Sequence, residues 1–172
     1  MSSILISSTE TRAHAIGFRL LSGDASFTTI YWFNLLAMSL DLSSFEKALA
    51  SLGRGIARSR AAPGDEELRD CVIQRFEYTY ELCWRMLKRR LEIDAPTPAD
   101  IDQLAFKDLI RAGAIQGLIA SPEAWFAYRQ QRNATSHTYN EAKAVQVYEA
   151  ARAFFQDAEA LLVQLRQRNG NS

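Results

Sequence analysis

The sequence predicts an all-α protein, an antiparallel bundle of four to five helices. Three observations carry that prediction. Apolar residues recur at the helical period through most of residues 43–167. Two cap-then-proline starts, Thr97-Pro98 and Ser121-Pro122, punctuate the chain. No convincing alternating strand pattern occurs between residues 40 and 170.

Residues 1–37 show no clean helical stripe. Their apolar run IYWFNLLAM is too short to span a bilayer. Arg12 and Arg19 lie far upstream of it and no convincing A-x-A site follows, which argues against a secretory leader. We expect an extension of doubtful order here, with Met38 a candidate for the true start, then a helical domain over 38–168 and a tail over 169–172. The first helix is expected from Ser43 to about Arg60, behind a cap-like Asp41-Leu-Ser-Ser, with Phe45, Leu49, Leu52 and Ile56 on one stripe. After the turn Ala61-Ala62-Pro63-Gly64, Asp65 suits an N-cap, and Glu66 and Glu67 suit the positive end of a long helix to about Ile93. Leu68, Val72, Phe76, Tyr80, Cys83, Leu87 and Leu91 form its seam. Asp94-Ala-Pro96-Thr-Pro98 breaks it. Thr97 then caps a third helix, with Pro98 at N1 and Asp100 at N3, running to about Ala112. Residues 113–120 are a loop or short turn, and Ser121-Pro122-Glu123 starts a fourth helix. The last helix covers about Glu141 to Gln167, with Val145, Tyr148, Ala151, Phe155, Leu162 and Leu165 facing inward.

The 172 residues, 48% of them hydrophobic, fit one domain with a single buried core. Lys and Arg number 20 and Asp and Glu number 20, so no global field steers the molecule onto nucleic acid, and any such site is local. Cys71 and Cys83 lie about 18 Å apart along one helix, too far to pair with each other. A reduced, cytoplasmic compartment is the simple reading. With only His14 and His137 and no Cys/His cluster, we expect no metal site.

The informative stretch is WFAYRQQRNATSHTYN. From Ala124 to Asn140 there is no acidic residue, while Arg129, Arg132 and His137 are interleaved with Trp125, Phe126, Tyr128 and Tyr139. That is a local positive patch with stacking surfaces, the pattern of a nucleotide or single-stranded RNA site. An imidazole near neutral pKa can take the proton of a ribose 2′-hydroxyl or give one to the leaving 5′-oxygen. An arginine can stabilise charge developing on the phosphate. On a straight helix Arg132 and His137 stand about 140° apart and cannot grip one phosphate. A bend, a wrapped arginine or a second copy of the chain would be needed, and we favour a twofold axis that places two Arg/His sets in one cleft. By spacing alone the signal is weak, because the chain has 16 arginines. The plainer reading makes His137 a surface or helix-capping residue. Glu77 and Glu81, one turn apart on the long helix, could face the Arg/His cleft; the plainer reading is a solvated face with pairs such as Glu81–Arg85. Tyr78, Tyr80 and Trp84 read as core, and Arg85, Lys88, Arg89 and Arg90 as an exposed face. No glycine-rich phosphate loop and no Gly-Ser with a following Asp-x-Asp pair occurs, so the chain does not read as a nucleotidyltransferase.

LDLSSFEKAL (40–49), IQRFEYTYELCWRMLKRRLE (73–92), DLIRAGAIQGL (108–118) and AWFAYRQQRNATSHTYN (124–140) resemble the nucleotidyltransferase substrate-binding protein family, a branch of the HEPN superfamily. The resemblance covers about residues 38–167 and is strongest at RNATSHTY, which is similar to the superfamily's R-x4-6-H motif extended to R-x4-H-x-Y. It implies a helical homodimer partnered with a small separate nucleotidyltransferase. It implies a toxin–antitoxin role as a metal-independent endoribonuclease without cofactor, neutralised by AMP transfer to a tyrosine. Carried over, Arg132 and His137 are the catalytic pair and Tyr139 the modified residue. Asn133, Ser136, Arg129, Glu77 and Glu81 would support or bind. The alternative is a non-catalytic nucleotide- or substrate-binding subunit of a two-component nucleotidyltransferase. Residues 1–37 depart from the family pattern.

Overall fold

The computed structural model describes residues 39–137 and 140–170. The expectations for residues 1–37 and for a start at Met38 fall outside the described residues. Six helices are present among them: α1 (Ser43–Ala61), α2 (Glu66–Asp94), α3 (Pro98–Asp102), α4 (Phe106–Ile115), α5 (Pro122–Asn133) and α6 (Glu141–Gly170), with a 3-10 turn at Thr135–His137. The described residues contain no strand, so the fold is the expected all-α bundle. None of these helices is long and apolar enough to cross a membrane.

The four long helices alternate in direction, and ion pairs mark their ends. Glu46 near the start of α1 meets Arg166 near the end of α6 at 2.9 Å. Arg69 near the start of α2 meets Glu141 at the start of α6 at 2.5 Å. Asp94 at the end of α2 meets Arg168 near the end of α6 at 2.7 Å. Phe45, Leu49, Leu52 and Ile56 of α1 are buried as expected, and so is the α2 seam from Val72 to Leu91. Asp65 caps α2 by accepting a hydrogen bond from the Leu68 amide at 3.0 Å.

Phe154 of α6 sits at the centre of the core with no exposed surface. Its ring packs edge-on against Phe76 at 5.2 Å, Tyr128 at 5.5 Å and Trp125 at 6.0 Å between centroids, and Tyr80 is tilted against it at 5.8 Å.

Three expectations are corrected. The buried face of α6 is Ala144, Val147, Ala151, Phe154, Ala158, Leu161, Leu162 and Leu165, whereas Val145 is 44% exposed and Tyr148 and Phe155 are only half-buried. Alanines at 144, 151 and 158 repeat every seven residues and let the neighbouring helices approach closely, so a stripe chosen by side-chain bulk is rotated off the true one. The third helix is two helices. Thr97 makes no side-chain capping bond and α3 buries no residue, so nothing carries it past Asp102; the chain restarts at Phe106 on a line that puts Leu109 and Ile110 in the core. α4 then ends in a Schellman motif: Gly117 takes φ 72°, its amide donates to the Ala114 carbonyl, the Leu118 amide donates to the Gly113 carbonyl, and Leu118 is buried. Finally, α6 continues to Gly170 rather than ending in a tail at 169, and the Asn169 side chain donates to the Leu40 carbonyl at 2.8 Å.

At one end of the bundle Arg90, expected on an exposed face, is instead only 5% exposed because Asp94 one turn on neutralises it, and Arg168 bridges Asp94 to Gln116. Burial alone would raise the Asp94 carboxyl, but the hydrogen bonds from Arg90 and Arg168 outweigh it and hold its pKa below the ordinary value.

Phe154→Ala is expected to cost about 3–5 kcal/mol, the range for truncating a fully buried ring. Urea unfolding of the variant beside wild type would measure it; a loss under about 1 kcal/mol would mean that the core collapses around the vacancy.

Candidate functional site

α5 begins where Ser121 accepts a hydrogen bond from the Ala124 amide at 3.5 Å, with Pro122 at the first helical position. Its inner face carries Trp125, 1% exposed, and Tyr128, 7% exposed, whose hydroxyl donates to Asp157 of α6 at 2.6 Å. These two rings, expected as stacking surfaces, are core instead. The structure leaves Phe126 half-buried against Phe106 and Arg129 exposed, its guanidinium carbon 4.0 Å above the Phe106 ring.

Arg132 lies in the last turn of α5 and reaches across to α2. One terminal nitrogen stands 2.9 Å from Glu81 and 3.9 Å from Glu77. The two carboxylates do face the motif helix, and the partner of Glu81 is Arg132 rather than the anticipated Arg85. All three side chains are about a third or more exposed, so the cluster adds little to stability. Its consequence is orientation: the guanidinium is held over the second helix.

The straight-helix premise for Arg132 and His137 does not hold. α5 ends at Asn133, the Ala134 amide is shared between the Gln130 and Gln131 carbonyls, and residues 135–137 form a 3-10 turn. The Thr135 hydroxyl donates to the Arg132 carbonyl at 2.8 Å and closes this turn. The chain therefore leaves the α-helical path between the two residues, and the 140° separation does not apply. Asn133 and Ser136 are exposed. The His137 side chain and the whole of Tyr139 fall outside the described residues. The chain re-enters helix at Asn140, whose side-chain oxygen accepts from the Lys143 amide at 3.2 Å. Glu141 takes both terminal nitrogens of Arg69 at 2.5 and 2.8 Å. The segment between Arg132 and Glu141 is thus tied to α2 at both ends, by pairs of opposite polarity.

Arg69 has no sequence signal, since it meets Glu141 across 72 positions. Of the three rings expected as core, Tyr78 is 40% exposed with its hydroxyl donating to Ser51, Trp84 is only half-buried, and Tyr80 is buried at 3% exposed with no hydrogen-bond partner for its hydroxyl among the described residues. Burial pushes this phenol well above its ordinary pKa, against the opposing pull of the Arg129 and Arg132 charges, so it remains a neutral donor beneath the motif helix. On the other side of Arg132 an open cleft of roughly 530 Å³ is lined by Glu67, Asp70, Cys71, Gln74, Glu77 and Thr135 among others. That side is acidic.

Residues 40–167 match the family described as nucleotidyltransferase substrate binding protein like. The chain belongs to that family. A protein of Haemophilus influenzae named Probable ribonuclease HepT is 47% identical over 98 residues, which are 57% of this chain and 67% of that protein. A solved Haemophilus influenzae structure, described as revealing the fold of a substrate binding domain of a nucleotidyltransferase, superposes with a TM-score of 0.70 at 36% identity and covers 73% of this chain and 99% of its own. A Thermus thermophilus structure superposes with a TM-score of 0.60 at 29% identity, covering 71% and 98%. The family resemblance of residues 40–167 is therefore matched by both sequence and fold.

Tyr80→Phe removes a buried hydroxyl that has no partner among the described residues, so stability is expected to be unchanged or raised by up to about 1–3 kcal/mol. Thermal or urea unfolding checks it. A clear destabilisation would mean that the hydroxyl has a partner in solution.

Proposed function

We propose that this protein is a HEPN-type, metal-independent endoribonuclease, the toxin of a toxin–antitoxin pair. The observation that carries the reading is the Arg132 guanidinium, held 2.9 Å from Glu81 at the end of α5, one short turn before His137. The name of the Haemophilus influenzae relative supports the ribonuclease class. In the proposed reaction His137 takes the proton of a ribose 2′-hydroxyl, and the 2′-oxygen attacks the adjacent phosphorus. The P–O5′ bond breaks, and the leaving 5′-oxygen gains a proton. The products are a 2′,3′-cyclic phosphate end and a free 5′-hydroxyl. Arg132 meets the charge that builds on the phosphate oxygens. Glu81, with Glu77, aims Arg132, while Asn133, Ser136 and Arg129 line the approach. Each chain offers one imidazole at this motif, so a homodimer would supply the second for acid–base work.

The expected partner is a small nucleotidyltransferase acting in the cytoplasm. It would transfer AMP from ATP to the Tyr139 hydroxyl, forming a phosphodiester to the phenol oxygen and releasing pyrophosphate. A bulky anion two residues beyond His137 would then occupy the position of the substrate phosphate. The second reading, a non-catalytic subunit that presents substrate to the transferase, is favoured by the family description and by the solved Haemophilus influenzae neighbour, described as a substrate binding domain.

Purified wild type, His137→Ala and Arg132→Ala should be incubated with total RNA and EDTA. Cleavage by wild type, with each variant slowed by about 10²–10⁴-fold, is the expected result. No cleavage by folded, unmodified wild type would hand the conclusion to the binding subunit. Glu81→Gln separates orientation from charge chemistry: it should lower kcat by a smaller factor than Arg132→Ala and leave the pH profile of the reaction in place. A Glu81→Gln variant as inactive as His137→Ala would give the carboxylate a direct part.

A further inference from the structure

We propose that the face running from Arg129 onto α4 and α2 is a second binding site, which takes the single-stranded RNA flanking the cleaved bond. This inference rests on the ribonuclease reading and extends it to the length of substrate engaged.

Three half-buried rings form a continuous band: Trp84 of α2 lies 5.2 Å from Phe106 of α4, and Phe106 lies 6.2 Å from Phe126 of α5. Three exposed cations cover that band. Arg129 stacks at 4.0 Å over Phe106, while Lys107 and Arg111 both stand 5.7 Å from the Phe126 centroid. Aromatic rings topped by planar or mobile cations suit nucleotides, because bases stack on the rings and guanidinium planes while phosphates meet the charges. Acids border the same face: Asp108 pairs with Arg111 at 2.9 Å, Asp102 pairs with Lys88 one turn on from Trp84, and Glu123 lies one turn before Phe126.

The order of groups along the paired α2 and α5 decides which way the RNA runs. Trp84 and Phe126 come first, Glu81 and Arg132 next, then Glu77 and Thr135 with the acidic cleft that also holds Glu67 and Asp70. A polyanion held at Arg132 is repelled on the acidic side and attracted on the side of Arg129, Lys107 and Arg111. Single-stranded RNA fits both the charge and the stacking surface. An acidic protein surface would use the charge alone.

The test measures length-dependent binding. His137→Ala protein, which should cut its probe too slowly to matter during a titration, is titrated with fluorescein-labelled oligoribonucleotides of about three and about nine nucleotides across a salt series, a range that brackets one short single-strand site. The longer probe should bind more tightly. Adding Lys107→Ala and Arg111→Ala should weaken the longer probe by about tenfold and reduce its salt slope by about 1.4, with the short probe much less affected. Phe106→Leu, which keeps an apolar core contact and removes the ring, should also weaken the longer probe. Unchanged affinity for the longer probe in the folded variants overturns the proposal. The same holds if the substitutions disrupt self-association or a transferase complex by sedimentation while RNA binding is untouched. Cleavage of both probes by protein retaining His137 runs alongside. Failure to cut either one sinks the ribonuclease reading, whereas intact cutting with no length effect sinks only this site.

Discussion

The ring of Phe154 is the contact on which the site depends. It touches Phe76 and Tyr80 of α2 and Trp125 and Tyr128 of α5 in one cluster. Those contacts set the separation and rotation of α5 against α2. Only with both fixed can a side chain in the last turn of α5 find carboxylates on α2 at salt-bridge distance. The pair itself is too exposed to hold the helices together. The hydrophobic core therefore positions the polar groups, and the polar groups select one direction for the arginine.

Electrically the molecule is neutral as a whole and strongly divided in detail. α2 carries acids along one half of the groove and aromatic surface along the other, while α5 carries no acid after Glu123. Two arginine–carboxylate pairs join α2 to the two sides of the motif, Arg69 with Glu141 and Arg132 with Glu81. In the first the arginine comes from α2, and in the second from the motif side.

Much of this is readable in the chain. Phe45, Leu49, Leu52 and Ile56 fall on their stripe because α1 packs by bulky residues at ordinary spacing. α6 misleads because alanines, which look neutral to a search for bulk, mark its buried face. The break between α3 and α4 is hidden because Thr97-Pro98 is a sound start signal, and nothing local says that the helix has no core to follow. At the site, periodicity puts Glu77 and Glu81 on the right face, but their partner lies about fifty residues away and comes only with the fold. Trp125 and Tyr128 look like stacking surface for the opposite reason: a motif rich in aromatics hides which of them the core has claimed. Arg69 and Glu141 cannot be paired from sequence at all.

The weakness of the Arg132–Glu81 pair fits the proposed control by AMP. A buried, strongly coupled arginine would resist any competitor, since breaking such a pair leaves an uncompensated charge. Here the guanidinium is a third exposed and the carboxylates more so. An exposed pair is worth about 0–1 kcal/mol. A phosphate, with its shorter and stronger charge-assisted hydrogen bonds, can displace the carboxylate whether it belongs to RNA or to a modified tyrosine a few residues along the same segment. In the proposed control, the same looseness that would let substrate draw Arg132 off Glu81 would let an attached nucleotide do so permanently. Activity and inhibition would then be two uses of one exchange, arginine from carboxylate to phosphate. In that proposal tethering would decide between them, because a phosphate held on the chain itself would have a high effective concentration at Arg132 and would exclude a free one.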